Sequence, residues 1–214
     1  DIDVTLLTDH RTVSKSTILA INQLKARGIL VGLATGRDPR FILQYMASLG
    51  LDMAVAYNGQ YVFTRDEVVF SQPIEKEDID KMIAYAEKFQ RDLSFGTALG
   101  VVGSGIMSMG TGNFAYRFSR MVPEVCAGFV NFIFNHIIRI VRPQNKGSFN
   151  HLITQPIYQM MLLTMEKEAQ RLAEHFPQLT FTRSSPYATD IICKGNSKLI
   201  GIKRLGDFYH FSTD

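Results

Sequence analysis

Cysteine is scarce. The 214 residues hold two, Cys126 and Cys193, far apart and without the paired spacing of a metal knuckle or a redox motif, so both are expected to be neutral or buried thiols. No apolar run reaches the roughly 18 residues that a membrane-spanning helix needs. The richest stretch, 129–140, is broken by Asn131, Asn135, His136 and Arg139, and is expected to be core material rather than a partner groove. Nothing resembles a signal peptide. A soluble, cytoplasmic protein with no membrane partner is the expectation. A dense basic block is also missing. Lysine and arginine are scattered and the net charge is +3, which argues against a nucleic-acid partner but leaves room for a positive site that attracts small anions. His10, His136, His151, His175 and His210 show no ligand spacing, so surface or structural roles are expected. No internal repeat or low-complexity linker is evident, and no feature speaks to oligomeric state.

What is present is ample core material: 46% hydrophobic against 20% charged residues, in a length that allows one large domain or two smaller ones. Ser14 fits the N-cap of a helix through Ile18, Ile21 and Leu24 to Arg27, with Gly28 as its left-handed C-cap. Residues 29–34 form a short apolar run expected to be a buried strand, ending at Thr35-Gly36-Arg37. Asp38 opens a second helix closed by Gly50, and 53–57 is the next strand, ending at Asn58-Gly59. This rhythm predicts βαβ units and a parallel sheet.

The pattern then changes. A hairpin is expected at 61–63 and 68–70, a helix over 75–90, and glycine-rich strands and turns over 93–112. A helix around 122–138, a strand at 158–164, a helix at 166–175 and a strand at 179–183 follow. The sheet pattern resumes with a strand at 189–193 and a helix after Ser197 and Lys198. The organisation expected is a discontinuous α/β core, residues 1–73 and 184–214, carrying an inserted α+β module over 74–183.

Polar groups fall at the expected strand ends. Asp1 and Asp3 stand two apart, a spacing that puts both on one face of an extended segment. The tripeptide means little alone, because Asp78-Ile79-Asp80 repeats it inside a charged helical stretch. Its company gives it weight: Thr35, Asn58 and Lys198 also sit at or just beyond strand ends, where sites form in open α/β sheets. Two carboxylates, a hydroxyl and an ammonium suit phosphoryl transfer. One carboxylate can attack phosphorus, a second can move the proton, and a cation can offset the charge of an anionic ester. Magnesium held by one or two carboxylates fits the same demand. Ser184-Ser185-Pro186 reads as a turn, and Thr35 also has a plain reading as a helix-start hydroxyl.

Four segments together resemble the haloacid dehalogenase (HAD) superfamily of hydrolases, in its Cof-like branch with a type-2 α+β cap. They are Asp1-Ile2-Asp3-Val4-Thr5-Leu6-Leu7, Ala34-Thr35-Gly36-Arg37, Tyr57-Asn58-Gly59, and Ser184-Ser185-Pro186 followed by Asp190 through Lys198. The resemblance implies a Rossmann-like core whose cap closes over a small phosphorylated metabolite such as a sugar phosphate. It implies Asp1 as nucleophile and magnesium ligand, and Asp3 as general acid/base with its carbonyl on the metal. Thr35 and the Gly36 amide would hold the phosphoryl group, Lys198 would pair with Asp1 and phosphate, and Arg37 and Asn58 would lie on the substrate side.

Three departures accompany the resemblance. Val4 stands where the branch usually has glycine, no apolar strand precedes Asp1, and the acidic G-D-x-x-N-D motif is not found. Gly206-Asp207 mimics its first two residues but falls in an expected helix tail. The expectation is a chain truncated or altered at both ends, with weakened metal binding. A non-catalytic phosphometabolite-binding protein and a phosphomutase on the same fold stay open as alternatives.

Overall fold

The computed structural model describes residues 1–3, 5–89, 91–103, 153–164, 166–185 and 188–212. The chain forms two compact units, one of Asp1–Pro73, Ala98–Gly100 and Gly195–Asp214, the other of Ile74–Thr97 and Val101–Lys194.

In the first unit, helix α1 (Lys15–Ala26) starts where the Ser14 side chain accepts the Thr17 N–H, and Gly28 follows with φ +75°. Strand β1 is only Gly32–Ala34. Ile29 and Leu30 are half-exposed, so the apolar run 29–34 overstates the strand. Helix α2 (Pro39–Leu49) is capped by Asp38, which accepts the Phe41 N–H, and ends on Gly50 at φ 63°. Strand β2 (Met53–Ala56) is buried throughout and pairs parallel with β1. The hairpin β3 (Tyr61–Thr64) and β4 (Val68–Ser71) continues the sheet antiparallel to β2, giving the order β1-β2-β3-β4. The final helix, here α5 (Lys198–Tyr209), starts at Ser197, whose side chain accepts the Ile200 N–H. Its Leu205, with Ile202 and Tyr209, packs on Met53, Val55 and Val62. Gly206 and Asp207 lie inside α5, the helical position expected for that decoy pair.

The described opening residues, 1–3 and 5–7, do not form a strand. Leu6 and Leu7 both donate backbone N–H to the Ile2 carbonyl at 3.1 Å, and Ile2 is fully buried. Asp1 and Asp3 are thus placed by a turn, and the alternation argued from an extended segment does not apply to them.

The second unit is α+β. Its sheet has the order β6-β5-β7-β9-β8, from β5 (Leu93–Thr97), β6 (Gly100–Gly103), β7 (Gln159–Leu163), β8 (Leu179–Ser185) and β9 (Ala188–Cys193). Ile79, Met82, Ile83 and Ala86 of α3 (Lys76–Phe89) and Leu172 of α4 (Glu166–His175) share a core with Leu93, Phe95, Met160, Leu162 and Ile191. One assignment is overturned here. The strand expected at 189–193 belongs to this sheet, as β9 pairs antiparallel with both β7 and β8, so the first unit resumes at Gly195 rather than at residue 184. The physical reason is burial: Ile191 and Cys193 supply this core, and a short apolar run does not say which of two sheets it joins. The expected helix at 122–138, the stretch 129–140 and Cys126 lie outside the described residues, as does Pro186; Cys193 is buried.

Candidate active site

Three loops of the first unit interlock at the carboxyl end of the parallel pair. Thr35 continues β1, donating its backbone N–H to the Val55 carbonyl at 2.9 Å, and accepts the Asn58 N–H on its own carbonyl at 3.1 Å. The Tyr57 N–H reaches the Arg37 carbonyl at 3.3 Å. Tyr57 and Asn58 both take left-handed backbone conformations, φ 48° and 53°, which folds the Asn58 amide over Gly36. A Cβ on Gly36 would stand 3.0 Å from Asn58 Nδ2. Gly59, at φ +102°, lies against the start of α5, where an added Cβ would meet the Ser197 carbonyl oxygen at 2.2 Å. The loops after β1 and β2 and the loop before α5 therefore touch without an intervening side chain.

The charged groups pair across these loops. Lys198 Nζ donates to Asp1 Oδ2 at 2.7 Å, both side chains being a little over one-third exposed. Arg37 grips Asp3 with two bonds, Nε to Oδ2 at 2.8 Å and Nη2 to Oδ1 at 2.9 Å, while its guanidinium stands 5.0 Å from the Phe41 ring centre. Such a fork fixes both carboxylate oxygens at once. Burial is the largest single influence on Asp3 and acts upward. The Arg37 hydrogen bonds and charge, with the charges of Arg11 and Lys198, outweigh it and hold the carboxyl below its ordinary value of 3.8. The Lys198 ammonium is drawn below its ordinary value, by burial first, with the Asp3 charge opposing. A cation at the first turn of a helix also works against the helix dipole, and the Asp1 carboxylate offsets both costs.

Thr35 is buried, and its hydroxyl accepts the Arg37 N–H at 3.2 Å, the local turn of the helix-start reading; its own hydroxyl proton remains available to a ligand. Asp1 with Lys198, and Asp3 with Arg37, are thus brought into direct contact, and Thr35, Gly36 and Asn58 form the adjoining backbone cradle. For a magnesium ion, the Asp1 carboxylate and the Asp3 carbonyl are hard oxygen donors, and one or two protein carboxylates completed by water and phosphate oxygens make an ordinary magnesium shell. The donor chemistry fits, although among the described residues no group of three acidic, histidine or cysteine side chains converges.

The sequence reading passed over the residues that brace the cradle. Arg204 on α5 donates to the Gly59 carbonyl and to Asn196 Oδ1, both at 2.8 Å. Asn196 in turn donates to Gln72 Oε1 at 2.9 Å. Arg11, which lowers Asp3, was also missed. Nothing in the local pattern marks any of them: Arg204 and Asn196 reach Gly59 and Gln72 far away in sequence, and Arg11 reaches Asp3 only through the turn of the opening residues.

Comparison with known proteins bears on the family and the fold. A family model for haloacid dehalogenase-like hydrolases matches residues 1–214. "Putative phosphatase YkrA" of Bacillus subtilis (strain 168) is 23% identical over 219 aligned positions, covering 99% of this chain and 76% of that protein. A hypothetical protein from Geobacillus kaustophilus HTA426 superposes with a TM-score of 0.71 at 26% identity, over 99% of this chain and 74% of that one. The HAD subclass IIB sugar phosphatase BT4131 shares the fold, with a TM-score of 0.74 at 22% identity over 99% of this chain and 75% of its own. No described helix is long and apolar enough to cross a membrane. With the whole chain matched, and a Rossmann-like core carrying an inserted α+β unit, the protein belongs to the haloacid dehalogenase-like hydrolases and is an enzyme of that class.

Proposed function

We propose that the protein is a phosphatase that hydrolyses monoesters of small, sugar-phosphate-like metabolites through an aspartyl-phosphate on Asp1. The observation that supports this reading is the Lys198–Asp1 contact at 2.7 Å beside the Arg37–Asp3 fork, two carboxylates each held by a cation around one cradle. YkrA's designation and BT4131's described activity support the substrate class.

In the first half-reaction, an Asp1 carboxylate oxygen forms a bond to phosphorus as the ester P–O bond breaks. Asp3 gives a proton to the departing alkoxide, leaving a free alcohol and an acyl phosphate. In the second, Asp3 takes a proton from water, the water oxygen bonds phosphorus, and the Asp1–phosphate bond breaks to release inorganic phosphate. Lys198 and Arg37 offset the negative charge of ester and carboxylates, and the Gly36 N–H with the Thr35 hydroxyl donate to the equatorial oxygens. Magnesium, held by the Asp1 carboxylate and the Asp3 carbonyl, would neutralise phosphate charge when bound.

The Arg37 fork favours the carboxylate form of Asp3, so the resting contact suits the base role; the acid role requires the fork to loosen as the ester enters. The test is phosphate release from a panel of sugar phosphates by the full protein with magnesium. Turnover that vanishes in Asp1→Asn is the expected result. Absence of turnover by a folded wild type, with phosphorylated ligands still raising its melting temperature, would favour the binding-protein alternative instead.

A further inference from the structure

Arg204 lies on α5, six residues beyond Lys198, and its hydrogen bonds among the described residues go to amide oxygens rather than to a carboxylate. It uses one terminal nitrogen, Nη1, to reach two loops, donating to the Gly59 main-chain carbonyl at 2.8 Å and to the Asn196 side-chain oxygen Oδ1 at 2.8 Å. The guanidinium lies over the ring of Phe70 on β4, with Cζ 3.4 Å from the ring centre. Asn196 is itself fixed, donating to Gln72 Oε1 at 2.9 Å, while Gln60 Nε2 donates to the Gln72 carbonyl at 2.9 Å. Gln60 is fully buried and Asn196 nearly so.

These bonds converge on the ends of the cradle. Gly59 directly follows Asn58, and Asn196 precedes Lys198 by two residues. The two loops already touch where Gly59 meets the Ser197 carbonyl, so a shift of one moves the other. The geometry points to Arg204 as a positioning residue that ties the Asn58 loop to the Lys198 loop and so holds the Lys198 ammonium over Asp1. Arginine suits this task better than lysine. A planar guanidinium can stack on a ring while donating in two fixed directions, whereas an ammonium supplies only a point charge on a flexible stem. The buried Asn196 amide holds its partners closely because leaving one of its bonds unmade is costly.

The inference rests on the phosphatase reading only for its kinetic arm. The experiment measures inorganic phosphate affinity by calorimetry, in magnesium buffer, for the wild type, Arg204→Met, Lys198→Met and the double variant of the full protein. Arg204→Met is expected to weaken phosphate binding about tenfold when Lys198 is present and under about twofold when it is absent, because it acts through that ammonium. With a phosphate ester as substrate, kcat/KM is expected to fall about 10- to 100-fold, part of it as a higher KM. Arg204→Lys should recover part of the loss. Equal losses in both Lys198 backgrounds, or unchanged phosphate affinity, would overturn the assignment. Should Arg204→Met fail to fold, Asn196→Ala, which removes one of the two acceptors, takes its place in the same cycle. A wild type that binds phosphate but releases none from esters rejects the phosphatase reading while leaving the binding cycle decisive for Arg204.

Discussion

Lys198 Nζ lies 2.7 Å from Asp1 Oδ2, although 197 positions separate them in the chain. The pair is partly open to solvent, so as an ion pair it adds less than about 1 kcal/mol to stability. Its value is electrostatic alignment at the reacting carboxylate. Lys198→Met is therefore expected to leave the melting temperature within a few degrees of wild type, since it also relieves an unfavourable charge at a helix start. Turnover should drop about 100-fold or more. Initial rates and a thermal melt measured on the same preparation decide this. Near-normal rates would remove Lys198 from the reaction.

Asp3 makes a pH prediction. Its carboxyl sits below 3.8 because Arg37, Arg11 and Lys198 outweigh the upward pull of burial. Removing Arg37 leaves burial less opposed, so the folded pKa rises. In Arg37→Met the acidic limb of the rate of acyl-phosphate breakdown, measured in single turnover, is expected to move to higher pH, because Asp3 must be ionised to act as base in that step. The stability effect has the matching sign. A depressed carboxylate stabilises the fold above 3.8 and loses that contribution as pH falls through its folded value, so the wild type should show this acid loss and the variant should not. Profiles with coincident acidic limbs would assign the titration to another group.

Two glycines separate a backbone requirement from a packing one. Gly28 has φ +75° and open space around it, whereas Gly59 has φ +102° and would drive a Cβ to 2.2 Å from the Ser197 carbonyl oxygen. Gly28→Ala is expected to cost about 1 kcal/mol through backbone strain alone. Gly59→Ala should cost about 2–3 kcal/mol or more and also reduce activity, because the contact it breaks is between two main-chain segments of the site. Urea unfolding of both variants provides the comparison. Equal costs would mean that the Gly59–Ser197 approach relaxes freely.

A fourth expectation concerns the second unit. Glu168 on α4 accepts from Tyr85 at 2.6 Å and from Arg91 at 3.0 and 2.8 Å, linking α4 to α3 and the chain just beyond it. Burial acts upward on Glu168, and the bonds from Tyr85, Arg91 and Thr164 together bring it below its ordinary value of 4.5. Its stabilising contribution is present above 4.5 and lost as pH falls through the lowered folded value. Arg91→Met should shrink the pH dependence of the denaturant midpoint below about pH 5, and should lower stability at neutral pH by about 1–2 kcal/mol, because Glu168 keeps the Tyr85 bond but loses its cation. An unchanged pH dependence would show that Glu168 does not set the acid limit of this unit.

Local chemistry was legible in the residue order wherever a single turn or cap settles it. Ser14, Asp38 and Ser197 cap the helices they were expected to cap, and Gly28 and Gly50 follow their ends, because these are bonds and backbone angles within a few residues. The same holds for the hairpin β3–β4 and for α4, whose limits match the expected 166–175. Motif order was enough to suggest the HAD-like class. Three things depended on the chain's return upon itself. A run such as 188–193 carries the same alternation in either sheet, and only the available partners, β7 and β8, placed it in the second. The run at Ile29 and Leu30 had the composition of a strand but found no strand to pair with among the described residues and stays half-exposed. Asp1 and Asp3 share a site through a turn around the buried Ile2, not through strand alternation. Which cation meets which carboxylate is a matter of distance across 197 positions of chain in the Lys198–Asp1 case, and sequence order carries no distance.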